Sequence, residues 1–282
     1  MSDTEKDPSI VEQEEKNTYE WDESTFSSLR ERLDSNNKED ITHLFQEELS
    51  AADTADFFAR LSSEDRYRYL EEYSEYILPE TFLYMDDTLS RDLLESLPAI
   101  SIANIISELD SDDALDLLAP LEYEAQQEVL KKLSKKMRAA IQEGLNFPEE
   151  SAGRLMQREV VSVPENWTVG KTIDYLRTAA EQLPSDFFDI IVITPTYHVV
   201  GEIPLNRLIR AQRKVKVKEL TLDSSHPIPA DMDQEDVARI FQRENLASAP
   251  VVDEDQRLIG VITIDDIITI VREEAEEDAL KL

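Results

Sequence analysis

Leu145-Asn146-Phe147-Pro148-Glu149-Glu150-Ser151-Ala152-Gly153-Arg154-Leu155-Met156 is the stretch at which the chain changes character. Before it, apolar residues recur at helical spacing; after it, short apolar runs alternate with helical segments, so two architectures meet at one joint. Pro148 should end the preceding helix and bias Phe147 toward an extended backbone, while Gly153 lets other groups approach closely. Both features suit a hinge or a docking surface.

Upstream, Phe26, Leu29 and Leu33, then Ile41, Leu44, Phe45 and Leu49, fall on helical faces. An internal repeat with a spacing of 24 residues follows. Phe57, Phe58, Leu61, Tyr69 and Leu70 recur as Thr81, Phe82, Met85, Leu93 and Leu94. The same places are held by Ile105, Ile106, Leu109, Leu117 and Leu118, and more weakly by Val129, Leu130, Leu133 and Ile141. Each unit reads as two short helices, with Ser62, Ser63 and Ser111, Asp112 where N-caps belong. A two-helix unit cannot bury its apolar face alone, so residues 25–145 are expected to stack into a short superhelix with Phe57, Phe58 and Phe82 in its core.

Downstream, one pattern occurs twice. Strand 160–163, helix 168–181, strands 190–194 and 199–203 and helix 205–212 are followed by strand 227–229, helix 233–244, strands 249–252 and 258–262 and a helix from 264. Val163-Pro164-Glu165-Asn166 matches Ile228-Pro229-Ala230-Asp231, and Gly201-Glu202-Ile203 matches Gly260-Val261-Ile262. Two such copies should pack as one pseudo-symmetric domain.

Composition bounds the function. The chain has 282 residues, 41% of them hydrophobic, enough for two domains. It shows no apolar run of about 18 residues, so this stretch of chain is not expected to cross a membrane. The first 16 residues are polar and acidic, resembling neither a signal peptide nor an anchor, and are expected to be a disordered tail. Absent cysteine removes disulfides, thiolate zinc sites and cysteine nucleophiles, and an intracellular location fits. His43, His198 and His226 are far apart, Gly-x-Gly-x-x-Gly and Gly-Lys-Ser/Thr are missing, and no nucleophile, base and orienter come together; the expectation is not an enzyme. The formal charge of −33 argues against nucleic acid and for cations or basic partners, although acidic excess by itself is usually a solvated surface.

Asp112 and Asp116 stand four apart at the start of a helix and share a face, with Asp113 pointing elsewhere. Capping and the helix dipole account for Asp112 alone; they account less well for Asp116.

The run Ala249-Pro250-Val251-Val252-Asp253-Glu254-Asp255-Gln256-Arg257-Leu258-Ile259-Gly260-Val261-Ile262-Thr263-Ile264-Asp265-Asp266-Ile267 resembles half of a CBS-domain pair. Together with the helical repeats and Pro148-Glu149-Glu150-Ser151-Ala152-Gly153-Arg154-Leu155-Met156, it makes the chain similar to the cytosolic portion of MgtE-family magnesium transporters. The implied fold is α plus α/β. It comprises a tail at 1–22, a helical-repeat N domain at 23–147, a joint at 148–158 and a CBS pair at 159–263, with a first copy at 159–219 and a second at 220–275 that includes its closing helix. Residues 264–282 form the closing helix, which in the family leads toward a membrane pore.

The same resemblance implies magnesium ligands. Glu80, Asp112 and Asp116 lie on the helical side, Asp266 on the CBS side, and a main-chain oxygen at Arg154 in the joint, a position commonly Gly in the family. A guanidinium there could instead stand in for the cation. A second set comprises Asp233, Glu235, Glu274, Glu277 and Asp278; Asn245 and Thr269 replace two further carboxylates, and a solvated helix end also accounts for the run at 273–278. The implied function is magnesium sensing: ions bridging the N domain, CBS pair and connecting helix favour a closed state that limits uptake. The implied setting is a homodimer through the CBS domains, joined to a transmembrane pore domain at the cytoplasmic face of the plasma membrane. CBS pairs also bind adenine nucleotides such as ATP, a Thr and an Asp three residues later contacting the ribose. Thr263 and Asp266 fit that spacing, while the first copy has Pro204 and Arg207. The alternative is a free-standing adaptor that senses a nucleotide and binds a protein through its helical repeats.

Overall fold

A computed structural model describes residues 22–184, 186–222 and 226–280, without the side chains of 273 and 276–280. The tail expected at 1–22 thus lies outside the described residues except for Asp22, whose carboxylate accepts from the Thr25 N–H and opens α1 (Glu23–Asp34). Then come α2 (Lys38–His43), a π-helical turn Leu44–Glu48, and α3 (Ala51–Arg60) behind a Ser50/Asp53 capping box. The remaining helical elements before the joint are α4 (Ser63–Tyr73), a 3-10 helix Pro79–Tyr84, α5 (Asp87–Ser96), α6 (Ala99–Ser107), α7 (Ser111–Leu118), α8 (Tyr123–Lys132) and α9 (Lys135–Gly144).

The 24-residue repeat is a repeat of structure: α3/α4, 3-10/α5, α6/α7 and α8/α9 are successive helical pairs. Its recurring positions, from Phe57, Phe58, Tyr69 and Leu70 to Val129, Leu130, Leu133 and Ile141, are buried. In the second unit Pro79 sits in the first turn, and the six-residue element it opens is a 3-10 helix. Ser62 caps α4 as its spacing predicts, and Ser63 is the first helical residue. At α7 the expectation fails: Ser111 and Asp112 are already helical, and Asp110 at the N-cap makes no capping hydrogen bond.

By its contacts the chain forms two compact units, Met1–Glu108 with Pro120–Lys132, and Leu109–Ala119 with Leu133–Leu282. The contacts therefore do not divide at the expected boundary, residue 147. Two helices of the repeat, α7 and α9, belong with the sheets, and they pack together, Leu115 lying so close to Gly144 that a Cβ there would come within 2.5 Å of it.

The second unit holds the two α/β copies. β1 (Ser162–Pro164) pairs parallel with β2 (Asp189–Ile193), which pairs antiparallel with β3 (Val199–Pro204); α11 (Val169–Thr178) and α12 (Leu205–Arg210) complete this copy. β4 (Ile228–Pro229), β5 (Ser248–Val252) and β6 (Leu258–Thr263) repeat the arrangement with α13 (Gln234–Glu244) and α14 (Ile264–Leu280). Irregularities at Val192/Ile193 and Val251/Val252 fall at matching places. Val163, Ile190, Val192, Ile203 and Leu208 centre one core; Val237, Phe241, Val251, Ile262 and Ile267 centre the other.

The joint docks onto the second copy. α10 (Ala152–Leu155) places Ala152 and Met156 in that copy's core, the Ala152 and Gly153 N–H groups donate to the carbonyls of Met232 and Ala230, and Gln157 pairs with Val261. Gly153 is required because a Cβ would strike the Phe147 ring. No helix among the described residues is long and apolar enough to cross a membrane.

Candidate functional site

The site is built on the first turns of two helices of the second unit, α7 and α14. Asp112, the second residue of α7, is 6% exposed, and its Oδ1 has no hydrogen-bond partner. Burial, with the charges of Asp266, Asp113 and Asp110 around it, pushes its carboxyl well above the usual carboxylate range. Asp266, the third residue of α14, is raised to about 7, by burial first and then by Asp265 and Asp113; hydrogen bonds from Thr263 oppose the rise. Its Oδ2 accepts from the Thr263 N–H at 3.2 Å and hydroxyl at 3.1 Å, the reaching-back half of a capping box. The same hydroxyl also reaches Asp265.

Like charges held in a poorly solvated gap raise one another's pKa and invite a proton or a cation. An orphaned buried carboxylate oxygen is the kind of donor magnesium takes, and magnesium keeps several waters, so a pair of facing carboxylates suits it without a closed cage. These residues therefore fit a magnesium ion in donor chemistry. They do not amount to a full protein shell: among the described residues no three His, Asp or Glu side chains gather as a metal cluster.

The other expected residues are placed as follows. Asp116 is on α7 but exposed, and the half-buried Asp113 is the α7 charge acting on both Asp112 and Asp266. Asp112 and Asp116, four apart on α7, thus differ in depth, the first buried and the second exposed. Glu80 is exposed at the start of the 3-10 helix in the first unit. The Arg154 guanidinium donates to the Gly144 carbonyl at 3.3 Å, satisfying the end of α9 instead of entering the acidic gap.

Of the second set, Asp233 is the N-cap of α13, accepting from the Glu235 N–H at 2.9 Å, and the exposed Glu235 is paired with Arg239 at 2.9 Å. Glu274 is half-buried on α14, which packs on α13; the side chains of Glu277 and Asp278 lie outside the described residues. Asn245 has a conformational role of its own. It ends α13 in the left-handed region, φ 51°, where Asn is favoured.

Sequence spacing missed Glu159. Its Oε2 accepts from the Ser111 N–H at 3.2 Å and hydroxyl at 2.8 Å, supplying from 48 residues away the cap that α7 lacks locally. No local pattern carries that signal. Asp189 was missed too: burial raises its carboxyl, against a 2.6 Å hydrogen bond from Ser248, its counterpart in the other copy.

The family model for the MgtE intracellular N domain matches residues 49–150, and that for the CBS domain matches residues 217–273. The magnesium transporter MgtE of Bacillus subtilis is 30% identical over 236 residues, 82% of this chain and 51% of the relative. That of Thermus thermophilus is 29% identical over 246 residues, 76% of this chain and 54% of the relative. The chain thus spans about half the length of these relatives. Among solved structures, the soluble part of a magnesium transporter aligns with TM-score 0.78 and 27% identity, covering 90% of this chain and 99% of that one. The cytosolic domain of the magnesium channel MgtE in complex with ATP aligns with TM-score 0.78 and 28% identity, covering 87% and 99%. With an N domain and a CBS domain in this order, and a fold shared with the soluble part of such a transporter, the chain belongs to the MgtE family and corresponds to its cytosolic portion.

Proposed function

We infer that this chain is the magnesium-sensing regulatory module of a magnesium transporter, controlling a transmembrane pore domain at the cytoplasmic face of the plasma membrane. The carrying observation is the buried Asp112 with an unsatisfied oxygen, on which the charge of Asp266 acts. Magnesium bound between such carboxylates offsets their repulsion. Glu80, Asp116 and the main-chain oxygen of Arg154 are the further ligands of this reading, and Asp233, Glu235, Glu274, Glu277 and Asp278 form a second, weaker set. Bound ions favour a closed state that limits uptake, and the module works as a homodimer through its CBS domains without catalysing a reaction. Moving an equilibrium from 1:99 to 99:1 takes about 5.5 kcal/mol of differential binding, which several weak ions can share.

Small-angle scattering of the chain with and without millimolar magnesium tests this. The radius of gyration should fall with magnesium, and the fall should vanish in Asp112→Ala/Asp116→Ala; an unchanged wild-type radius rejects the switch.

A nucleotide reading rests on Thr263 and Asp266, together with the ATP complex of the MgtE cytosolic domain. Thr263 is already hydrogen-bonded to both neighbouring carboxylates, so a ribose must displace these contacts. An ATP titration giving neither heat nor a melting shift rejects it.

A further inference from the structure

We propose that Glu159 and Ser111 form a clasp that holds the first turn of α7 against the second CBS copy, making Glu159 a positioning residue for the ion site. This rests on the reading of Asp112 and Asp266 as ion ligands. The Ser111 hydroxyl, on a residue 4% exposed, donates to Glu159 Oε2 at 2.8 Å and accepts from the Arg158 N–H at 2.8 Å. The Ser111 and Arg158 N–H groups also reach Glu159 Oε2, at 3.2 and 3.1 Å.

The segment that carries Glu159 is fixed in turn. Gln157 exchanges backbone hydrogen bonds with Val261 at 2.9 and 3.0 Å, and the Arg158 guanidinium donates to the Ile259 carbonyl at 3.0 Å. Gly260, between those two residues of β6, leaves no room for a Cβ, which would lie 2.6 Å from Met156 Sδ. β6 runs directly into α14 and Asp266. The contacts therefore link Asp112 through α7, the clasp, the joint and β6 to Asp266.

Like charge on Asp112, Asp113 and Asp266 works against keeping the first turn of α7 in place, and the clasp works the other way. A local Asp or Ser cap would satisfy the helix end equally well without tying it to β6. The long-range cap supplies preorganisation: if its loss leaves about a tenth of molecules with the gap at binding distance, apparent ion affinity falls about tenfold. Glu159 Oε2 is already committed to N–H and O–H donors, which sets it apart from an ion ligand.

The test uses the whole 282-residue chain. Magnesium affinity is measured by calorimetry, and amide hydrogen exchange is measured without magnesium. Glu159→Ala and Ser111→Ala should each weaken magnesium about tenfold and speed exchange at the first turn of α7. Glu159→Gln keeps an acceptor for both N–H groups and should restore affinity and protection. If Glu159→Ala does not fold, Ser111→Ala, which removes only a hydroxyl, carries the same comparison. Unchanged affinity or unchanged exchange in the alanine variants overturns the clasp, as does a Gln variant as weak as Ala, which would make Glu159 a ligand. Asp112→Asn separates the two ideas: wild-type affinity in that variant overturns the ion site itself. Lost affinity there with intact affinity in Glu159→Ala overturns the clasp alone.

Discussion

Asp112 and Asp266 are each more readily protonated in the folded chain than in the unfolded one, where a carboxyl titrates near pH 4. The folded state therefore binds more protons between about pH 4 and 7, and stability falls as pH rises through that window. Asp189 contributes with the same sign, whereas Glu48, held at about 2 by hydrogen bonds from Arg32, contributes stability that is lost only in stronger acid. In chelator, the melting temperature should drop from pH 5 to pH 8. Asp112→Asn should flatten that drop and add about 1–3 kcal/mol at pH 8, because an uncharged amide removes the buried like-charge repulsion. A parallel pH profile in the variant would show that Asp112 is not the titrating group. Magnesium should restore stability to the wild type at pH 8 and have little effect on Asp112→Asn. Arg154 gives the complementary result: with its guanidinium on the Gly144 carbonyl, Arg154→Ala should leave magnesium affinity within about twofold, a change of at most ~0.4 kcal/mol.

At the scale of elements, Gly260 decides whether the joint can lie on β6. A Cβ there meets Met156 Sδ at 2.6 Å and the Gln157 carbonyl oxygen at 2.8 Å, and the carbonyl belongs to backbone that cannot rotate aside. Gly260→Ala should therefore cost about 1–3 kcal/mol in urea unfolding, with the α7 amides losing exchange protection as the joint lifts. No loss of stability would mean that the joint accommodates the methyl group. The elements themselves were largely legible in the sequence. Val192 and Val251, or Leu208 and Ile267, carry a periodicity that burial imposes directly, and the 24-residue recurrence of apolar residues follows from stacked helical pairs. Contacts between elements were not legible. Nothing in the spacing of Asp112, Asp113 and Asp116 says how deep each one sits, and a cap supplied to Ser111 from Glu159 leaves no local pattern. Pro148 and Gly153 suit a hinge or a docking surface, and the joint's hydrogen bonds to Ala230, Met232 and Val261 make it a docking surface.

At the scale of the whole molecule, the pseudo-symmetry of the two copies bears on assembly. Ile209 is the fifth residue of α12 and Ile268 the fifth of α14, so they are counterparts, and they are 65% and 63% exposed. Isolated exposed isoleucines are ordinary, but a pair related by the internal repeat gives a second copy a self-complementary apolar contact about a two-fold axis. A stable dimer buries about 1,200–2,000 Å² in total, with a few central residues carrying most of the binding energy. These isoleucines are expected at that centre in the proposed CBS homodimer. Sedimentation velocity at micromolar concentration should find the wild type dimeric. Ile209→Asp/Ile268→Asp should be monomeric with an unchanged metal-free melting profile, since both side chains face outward within one chain. The acidic gap is assembled from α7 and α14 of a single chain. The monomeric variant should therefore bind magnesium at Asp112 with near wild-type affinity while losing whatever cooperativity the dimer confers. A variant that remained dimeric would place the interface elsewhere, and one that lost magnesium affinity altogether would mean that the partner contributes to the gap.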